Sequence, residues 1–391
     1  MEKRVRILST TDTHGYCLQS LGEQYDYHKE MDLLIDAGDF FIGNSLTTYF
    51  NTEFEISPLV AQANQLGYDV MIPGNHDFDY GVSFLQKQVA QLEATYLCAN
   101  ITGLDDKLLF EPYTIIEKNN VKIGVIGLMT SLLPVISSYK ITKEFKCLNA
   151  IECLERLLPT VKEQSDIVVV AYHGGIERDL ATGKPTQYDT GEDEAYKITE
   201  HFPEIDGLIC GHQHRVNCGK IGSTLIVQPG FKSSHLGVFD YRLKDKKILQ
   251  TKASLIELMN QEENPLEKIK GYEEWLLKEM DFTFFNEYIA NIAPNAFSLI
   301  EKKGRKIVDF LESFKAPYML SLYQLSQEEM RLLLKEHDIH DIILENEQLT
   351  PLQDSYLIIT NTNYLPSYRL KKNYINNVFD EYFANRKKVI V

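Results

Sequence analysis

The stretch Ile167-Val-Val-Val-Ala-Tyr-His173-Gly-Gly places six apolar residues in succession and follows them with a histidine and two glycines. An apolar run without polar alternation predicts a strand covered on both faces, as in a parallel sheet between layers of helices. Similar runs of β-branched and aliphatic residues recur at 5–9, 33–37, 70–73, 121–128, 208–210, 224–227 and 236–243. The candidate helices between the runs fall at about 56–66, 81–93, 148–164 and 192–201. This alternation predicts a layered α/β domain in which helices enclose β-sheets.

The pattern changes from about residue 264, where longer amphipathic stretches replace the short strand-like runs. A helix is predicted over 265–280 and another over 298–314, and Ser326 with Glu329 forms a capping box that predicts a third. Two β-like runs are predicted at 318–325 and 355–360. The predicted organisation is a larger domain over 1–260, a connecting helix or linker over 261–285, and a smaller α+β domain over 286–391.

The composition is that of an ordinary globular chain of 391 residues, with 44% hydrophobic and 25% charged residues. A formal net charge of −16 provides no general cationic surface for long nucleic acid or anionic lipid. No apolar stretch approaches the roughly 18 to 20 residues of a membrane span, and no secretory signal is read at the N-terminus. The six cysteines form no C-x-x-C pair, which fits reduced thiols. We therefore expect a cytoplasmic protein with no membrane association, no long nucleic-acid partner and no obligate protein partner.

Five of the strand-like runs end in residues that bind metals or move protons. The five segments are Asp12-Thr-His14, Gly38-Asp39, Gly74-Asn75-His76-Asp77-Phe78-Asp79, His173-Gly-Gly and Gly211-His212-Gln-His214. Because ligands gather beyond the carboxyl ends of the strands in an open α/β sheet, we expect these distant residues to meet at one edge. Asp12-Thr-His14 or Gly38-Asp39 alone is more often a turn or a helix cap, and His173 alone a polar strand end. The other two segments are as typical of a turn or a surface loop as of a binding site, whereas all five together predict a binding site.

The types and the number of these side chains indicate a pair of divalent ions. Residues two apart in extended backbone point to one side. The side chains of Asp12 and His14 are therefore expected to reach one ion together, and so are those of His212 and His214. Carboxylate, imidazole and amide oxygen without thiolate suit Mn, Fe or Zn. The candidates are too many for one open site and suit two ions that share one carboxylate. The predicted metal ligands are Asp12, His14, Asp39, Asn75, His173, His212 and His214.

With these segments in this order, the sequence resembles the calcineurin-like metallophosphoesterase superfamily. The pattern of that superfamily is D-x-H, G-D, G-N-H-[DE], a lone H after an apolar strand, and G-H-x-H. A closer resemblance lies in His173-Gly-Gly-Ile-Glu-Arg-Asp-Leu-Ala-Thr-Gly-Lys-Pro, in Gly191-Glu and in Gly211-His-Gln-His-Arg215. These segments are similar to the branch of bacterial 5'-nucleotidases and 2',3'-cyclic-nucleotide phosphodiesterases. The resemblance covers residues 4 to about 243.

The resemblance implies how the predicted ligands divide between the two ions. One ion takes Asp12, His14, Asp39 and His214, and the other takes Asp39, Asn75, His173 and His212, so that Asp39 is shared. The resemblance further implies that His76 and Asp79 are the catalytic pair, which leaves Asp77 as a neighbour.

The expected reaction follows from this arrangement. Two divalent ions generate a bridging hydroxide near neutral pH that attacks phosphorus in line, while His76, oriented by Asp79, protonates the leaving group. The expected enzyme is a metal-dependent phosphoric ester hydrolase with two divalent ions. It is expected to act on a small nucleotide as a 5'-nucleotidase, a 2',3'-cyclic-nucleotide phosphodiesterase, or both.

The C-terminal part departs from the resembled branch. In that branch a C-terminal domain closes over the metal site, supplies arginines and aromatic rings for the substrate, and usually carries an N-G-G-G-I-R-like segment. The sequence has no such segment, so no substrate-binding residue is assigned by motif. The nearest aromatic candidates are Tyr364 and Tyr368, and Arg305, Arg331 and Arg369 are among the arginines of this part.

Two alternatives stay open at this point. The chain could be a phosphoesterase with a non-nucleotide substrate, such as a nuclease or a protein phosphatase. It could also be a catalytically weak metal-binding regulatory protein whose C-terminal domain has acquired a new partner. The presence of every candidate ligand together with His76 and Asp79 favours catalysis, and the net acidity disfavours long nucleic acid.

Overall fold

The structure is a computed structural model that describes residues 2–16, 31–137, 141–258 and 271–279, with short segments at 296–299, 306–309, 320–326, 328–329, 355–360 and 370–374. The chain divides into two compact units. The first comprises Met1–Gly43 and Glu53–Glu267, and the second comprises Asn44–Thr52 and Lys268–Val391. Each unit is described by itself below.

The first unit contains fourteen strands and five α-helices in the part of the chain that is described. Its strands are β1 (Glu2–Thr10), β2 (Leu33–Asp36), β3 (Val70–Met71), β4 (Thr95–Tyr96), β5 (Ile101–Thr102), β6 (Tyr113–Lys118), β7 (Val121–Met129), β8 (Lys146–Cys147), β9 (Ile167–His173), β10 (Gly207–Cys210), β11 (Val216–Ile221), β12 (Thr224–Pro229), β13 (His235–Lys244) and β14 (Lys247–Glu257). Helix α1 (Ser45–Glu53) belongs to the second unit except for Glu53. The α-helices of the first unit are α2 (Pro58–Leu66), α3 (Val82–Val89), α4 (Leu133–Ile136), α5 (Ala150–Gln164) and α6 (Ala195–His201), and 3-10 turns lie at His76–Phe78 and Ile141–Lys143. The eight predicted strands and the four predicted helices of this unit are confirmed.

Two six-stranded sheets form the frame of the first unit. Their strand orders are β14-β13-β1-β2-β3-β4 and β11-β12-β10-β9-β7-β6, and β5 pairs with β8 in a separate two-stranded sheet. The strands β1 to β4 run parallel, as do β7, β9, β10 and β12. Antiparallel strands border both parallel sets. Because the central strands are parallel, their carboxyl ends lie at the same edge of each sheet.

The long apolar runs are explained by burial on both faces of the second sheet. In β9, Ile167 and Val169 belong to a hydrophobic core to which both sheets contribute. The alternate residues Val168 and Val170 belong to a second core, together with residues of α5 and α6. A strand covered on both sides has no polar face, which is why its sequence lacks alternation.

Local signals determine where two of these helices begin and end. The side chain of Ser57 accepts the backbone N–H of Leu59 at the start of α2, and Gly67 ends this helix in the left-handed conformation with φ 73°. The side chain of Asn149 accepts the N–H of Glu152 at the start of α5. These caps satisfy donors and acceptors that a helix end leaves open.

The second unit combines a segment from the N-terminal part with the C-terminal residues. It contains Asn44–Thr52, which includes all of α1 except Glu53, together with α7 (Tyr272–Leu276) and a four-stranded sheet of order β15-β17-β16-β18. The strands are β15 (Ala296–Leu299), β16 (Leu320–Ser326), β17 (Ser355–Thr360) and β18 (Leu370–Tyr374). The ring of Tyr49 in α1 lies 5.5 Å from that of Tyr272 and 5.6 Å from that of Trp275 in α7. The grouping of residues 44–52 with this unit was not anticipated from the sequence.

Several predictions for the C-terminal part have outcomes in the described residues. The two β-like runs are confirmed as β16 and β17, and the capping box is confirmed, because Ser326 N–H donates to Glu329 over 2.7 Å and Glu329 N–H donates to the Ser326 hydroxyl over 3.3 Å. The predicted start of a helix at residue 298 is wrong, since Ala296–Leu299 is a strand paired with β17. Within the predicted helix 265–280, the described α-helical residues are Tyr272–Leu276. Tyr364, Tyr368, Arg305, Arg331 and Arg369 lie outside the described residues.

Among the described residues, no helix combines the length and the apolar character that crossing a bilayer requires.

Candidate metal centre

The five predicted segments meet at the carboxyl ends of strands from both sheets. β1, β2 and β3 of the first sheet lead into Asp12, Asp39 and Asn75, while β9 and β10 of the second lead into His173 and His212. The backbone ties two of these loops together, because Asp12 N–H donates to the carbonyl of Gly38 over 2.9 Å and His14 N–H donates to the carbonyl of Asp39 over 2.9 Å. The predicted convergence at one edge therefore occurs.

The backbone at this edge is left-handed rather than extended. Five of the candidate ligands have positive φ: Asp12 at 48°, His14 at 50°, Asp39 at 55°, His212 at 70° and His214 at 58°. Such a conformation is uncommon outside glycine and costs about 1–3 kcal/mol per residue, and it is concentrated at functional sites. The expected extended backbone at these pairs is thus wrong, and His212 and His214 point to different groups of ligands.

The first group of donor atoms belongs to Asp12, His14 and His214, whose ligand atoms all lie within 4.8 Å of one another. The Nε2 atoms of His14 and His214 are 3.0 Å apart, and Nε2 of His214 is 3.4 Å from Oδ1 of Asp12. Oδ2 of Asp39 lies 4.0 Å from Nε2 of His14. Asp39 thus approaches this group next to His14.

The second group contains Asn75, His173 and His212, and it also meets Asp39. Oδ1 of Asn75 lies 3.1 Å from Nε2 of His173 and 2.8 Å from Nδ1 of His212. Oδ2 of Asp39 is 3.4 Å from Nε2 of His173, and one ligand atom each of Asp12, Asp39 and His173 lie within 4.8 Å of one another. The same carboxylate oxygen of Asp39 thus approaches both groups.

Three of the imidazoles have a hydrogen-bond partner on the side away from the centre. Nδ1 of His14 lies 2.6 Å from the carbonyl of Ile42, and Nδ1 of His173 lies 2.7 Å from that of Ala37. Nε2 of His212 lies 2.7 Å from the carboxylate of Glu192. A ring nitrogen that donates its proton outward leaves the lone pair of the other nitrogen facing inward, as a metal ligand requires.

The buried carboxylates of the centre indicate a cation-binding site. Asp12 and Asp39 are buried, and within the described part of the chain their ion-pair contacts are with histidines. Burial raises the pKa of Asp39, but the imidazoles of His173 and His76 outweigh it and hold that pKa well below its usual range. Burial likewise opposes protonation of His173, yet the carboxylates of Asp39 and Asp12 raise its pKa to about 9. A divalent ion would displace the proton of His173, and the buried carboxylates with the deprotonated imidazoles are a donor set that fits such an ion.

The predicted catalytic pair lies beside the shared carboxylate. Nδ1 of His76 is 2.9 Å from Oδ2 of Asp79, and the backbone N–H of His76 donates to Oδ1 of Asp39 over 2.8 Å. The rings of His76 and His14 are 5.9 Å apart between centroids. Burial raises the pKa of Asp79, although the His76 imidazole opposes this. His76 and Asp79 are thus in hydrogen-bond contact at the edge of the first group.

Asp77 has a larger role than a neighbour of the pair. Its carboxylate accepts the backbone N–H groups of Asp39 at 3.0 Å, Phe40 at 3.4 Å, Phe41 at 2.9 Å and Gly74 at 2.8 Å. Burial and the charge of Asp39 raise its pKa to about 7. Asp77 therefore joins the loop after β2 to the loop after β3, a role that the spacing of the motif does not reveal.

Glycines allow these loops to approach each other closely. A Cβ on Gly74 would lie 2.1 Å from both the backbone nitrogen and Oδ1 of Asp39. A Cβ on Gly211 would lie 2.2 Å from Oγ1 of Thr11. Such distances are incompatible with any side chain, so glycine at both positions follows from the packing of the ligand loops.

Residues 177 to 179 belong to the stretch that is similar to the nucleotidase branch, and their side chains bind within the segment that follows β9. The carboxylate of Glu177 accepts the N–H groups of Tyr196 and Lys197 at the start of α6. Arg178 donates to the carbonyl of Gly183 over 3.1 Å, and Asp179 accepts from the backbone and the hydroxyl of Thr182. These contacts shape the chain between β9 and α6.

Comparison with known proteins agrees with this geometry. The model of the calcineurin-like phosphoesterase family matches residues 5–216, more than half of the chain. The chain is 26% identical over 303 residues to the trifunctional nucleotide phosphoesterase protein YfkN of Bacillus subtilis (strain 168), which covers 64% of this chain and 20% of that protein. It is 26% identical over 293 residues to the 2',3'-cyclic-nucleotide 2'-phosphodiesterase/3'-nucleotidase of Yersinia enterocolitica, which covers 62% of this chain and 43% of that protein. The chain thus spans less than half the length of these curated relatives.

A solved structure shows a similar fold along nearly the whole chain. A Staphylococcus aureus protein superimposes with a TM-score of 0.71 at 20% sequence identity, covering 99% of this chain and 97% of the other. The predicted fold class and the resemblance found in the motifs are both confirmed. The chain therefore belongs to the calcineurin-like phosphoesterase family, a family of metal-dependent phosphoester hydrolases.

Proposed function

We propose that this chain hydrolyses the phosphoester bonds of small nucleotides, as a 5'-nucleotidase, a 2',3'-cyclic-nucleotide phosphodiesterase, or both. The observation that carries the proposal is the pair of ligand groups that share the Asp39 carboxylate beside the His76–Asp79 pair. Two curated relatives, named as a nucleotide phosphoesterase and as a cyclic-nucleotide phosphodiesterase/3'-nucleotidase, support the nucleotide as the substrate class.

The proposed metal ligands divide as the donor atoms do. Asp12, His14 and His214 with Asp39 would hold one ion, and Asn75, His173 and His212 with Asp39 would hold the other. When bound, two such ions lower the pKa of a shared water from 15.7 to about 7 and offset the negative charge of the phosphoryl oxygens. Mn, Zn and Fe are the candidates, because the donors are imidazole, carboxylate and amide oxygen.

His76 is the proposed general acid for the departing ribose oxygen. In the imidazolium form of His76, Asp79 accepts Nδ1–H over 2.9 Å, which orients the ring and leaves Nε2–H as the proton that passes to the departing oxygen. The hydrogen bond from the His76 backbone to Asp39 keeps the ring next to the shared carboxylate. Proton transfer by a positioned side chain accelerates a reaction typically by about 10² to 10⁴.

A substrate panel tests the proposal. The purified chain is stripped with EDTA, reloaded with Mn²⁺, Zn²⁺ or Fe²⁺, and assayed with nucleoside 5'- and 3'-monophosphates, 2',3'-cyclic nucleotides, a phosphopeptide and an RNA oligonucleotide. We expect metal-dependent hydrolysis of the nucleotides and its loss in Asp39→Asn. Preference for the phosphopeptide or for RNA would contradict the nucleotide as substrate, and metal binding without hydrolysis of any of these compounds would favour a regulatory protein.

A further inference from the structure

The imidazole of His212 lies between the second ligand group and a carboxylate. Its Nδ1 is 2.8 Å from Oδ1 of Asn75, and its Nε2 is 2.7 Å from Oε1 of Glu192. The two ring nitrogens therefore have different tasks, since one faces the ligand group and the other faces Glu192. Glu192 is separated from His212 by twenty positions and belongs to none of the predicted ligand segments.

The partner of His212 differs in charge from the partners of two other candidate ligands. His14 and His173 direct their outer nitrogens at the neutral backbone carbonyls of Ile42 and Ala37. His212 directs its outer nitrogen at an ionisable carboxylate. A carboxylate behind a histidine makes the inner nitrogen a stronger electron donor than a carbonyl does.

The backbone around Glu192 is held in place on two sides. Its carbonyl accepts the hydroxyl of Thr130 over 2.6 Å and that of Tyr172 over 3.3 Å, next to the ends of β7 and β9. The adjacent Asp193 accepts the N–H of Gly175 over 2.6 Å and the side-chain amide of Gln213 over 2.9 Å. The carboxylate of Glu192 is thus presented from a segment anchored next to His173, through Tyr172 and Gly175, and next to His212, through Gln213.

We propose that Glu192 is a positioning residue for the second ion of the pair. It accepts Nε2–H of His212, fixes that tautomer, and so presents the Nδ1 lone pair beside Asn75 and His173. The inference rests on the proposed function, because it requires the second ligand group to bind a cation. Removal of such an outer partner typically weakens metal affinity by about 10- to 100-fold.

Glu192→Gln tests the inference, because the amide is similar in shape and lacks the charge. Glu200→Gln, an exposed position on α6, is the matched control. Mn²⁺ is titrated into each EDTA-stripped chain by isothermal calorimetry and by electron paramagnetic resonance, which follows free Mn²⁺. We expect one of the two binding steps to weaken by about 10- to 100-fold in Glu192→Gln and neither to change in the control.

Nitrogen-15 spectra of the imidazoles report the tautomer directly. In the stripped wild-type chain we expect the His212 proton on Nε2, and in Glu192→Gln we expect this preference to be lost. Equal weakening of both binding steps in a variant with the wild-type melting temperature would overturn the inference. A wild-type chain that binds no Mn²⁺ would instead contradict the proposed function, so the two failures are distinguishable.

If the amide still holds the ring in place, Glu192→Ala removes the acceptor altogether. The affinity of Glu192→Ala for the second ion must then fall at least as much as that of Glu192→Gln. Full affinity in both variants rejects Glu192 as a positioning residue.

Discussion

His76→Asn tests the proposed general acid, because the substitution removes the imidazole and retains the backbone. The backbone N–H of residue 76, which donates to Asp39 over 2.8 Å, is still present in the variant. None of the donor atoms of the two ligand groups belongs to His76. We therefore expect the variant to bind both ions with wild-type affinity.

The expected loss of turnover follows from the contact with Asp79. A general acid held by a hydrogen bond of 2.9 Å is oriented toward one proton transfer, and removing it costs about 10² to 10⁴ in kcat. This factor corresponds to about 2.7 to 5.5 kcal/mol of transition-state stabilisation. Asp79→Asn keeps the imidazole and loses its charged partner, so we expect a smaller decrease than in His76→Asn.

The assay compares two kinds of leaving group. A ribose oxygen must be protonated as it departs, whereas p-nitrophenolate is stable as an anion at neutral pH. We expect the full decrease with nucleotides and a decrease of less than about tenfold with p-nitrophenyl esters. Metal content measured on the same samples is the control. Equal decreases with both kinds of substrate, or full activity with nucleotides, would refute the assignment of His76.

Three further predictions concern stability and pH. Asp77→Asn places an amide N–H₂ among four backbone N–H donors. We therefore expect urea denaturation to show a free energy of unfolding that is lower by about 1–3 kcal/mol. An unchanged urea midpoint would contradict the role of Asp77 as the connection between the two loops. Gly74→Ala brings a Cβ to 2.1 Å from the backbone nitrogen of Asp39. We therefore expect the free energy of unfolding to fall by about 1–3 kcal/mol and metal binding to weaken. Wild-type stability and metal affinity in calorimetry would contradict this prediction, because they would show that the loops can move apart. Burial raises the pKa of Asp36 well above its usual range, so the native state favours the protonated form, and this contribution to stability is present at low pH and is lost as the pH rises toward the raised value. Above pH ~4 we therefore expect the free energy of unfolding to fall less steeply with pH in Asp36→Asn than in the wild-type chain, the two slopes differing by about 1.4 kcal/mol per pH unit. Parallel plots of the free energy of unfolding against pH for the two proteins would contradict the raised pKa.

The sequence predicts the centre of the fold well because central parallel strands are buried on both faces. Such strands have continuous apolar runs, and the ends of these runs carry the ligands, so the central strands and the ligand types can both be predicted from the sequence. The hairpins at the borders of the sheets are harder to predict. Asn119 and Asn120 join β6 to β7, and Asp245 and Lys246 join β13 to β14, all with positive φ and without a glycine. The usual Asn-Gly or Asp-Gly signal is therefore missing at both turns.

The outer partners of the ligands could not be predicted from spacing. Glu192 reaches His212 because β9 and β10 are neighbours in a parallel sheet, and this contact depends on tertiary pairing. Asp77 lies inside a recognised motif, but its four backbone donors come from loops that meet after folding. The predicted helix begins at Ser298, inside the strand Ala296–Leu299, because an apolar period in a short segment does not determine its structure, whereas pairing with β17 does.

The central claim is that two divalent ions share the carboxylate of Asp39. Elemental analysis of the metal-replete chain, with anomalous scattering from its crystals, measures the number and the position of the ions directly. The account predicts two ions per chain, both within bonding distance of Asp39, and a loss of at least one ion in Asp39→Asn. A centre without metal, a single ion, or two ions retained in Asp39→Asn would contradict it.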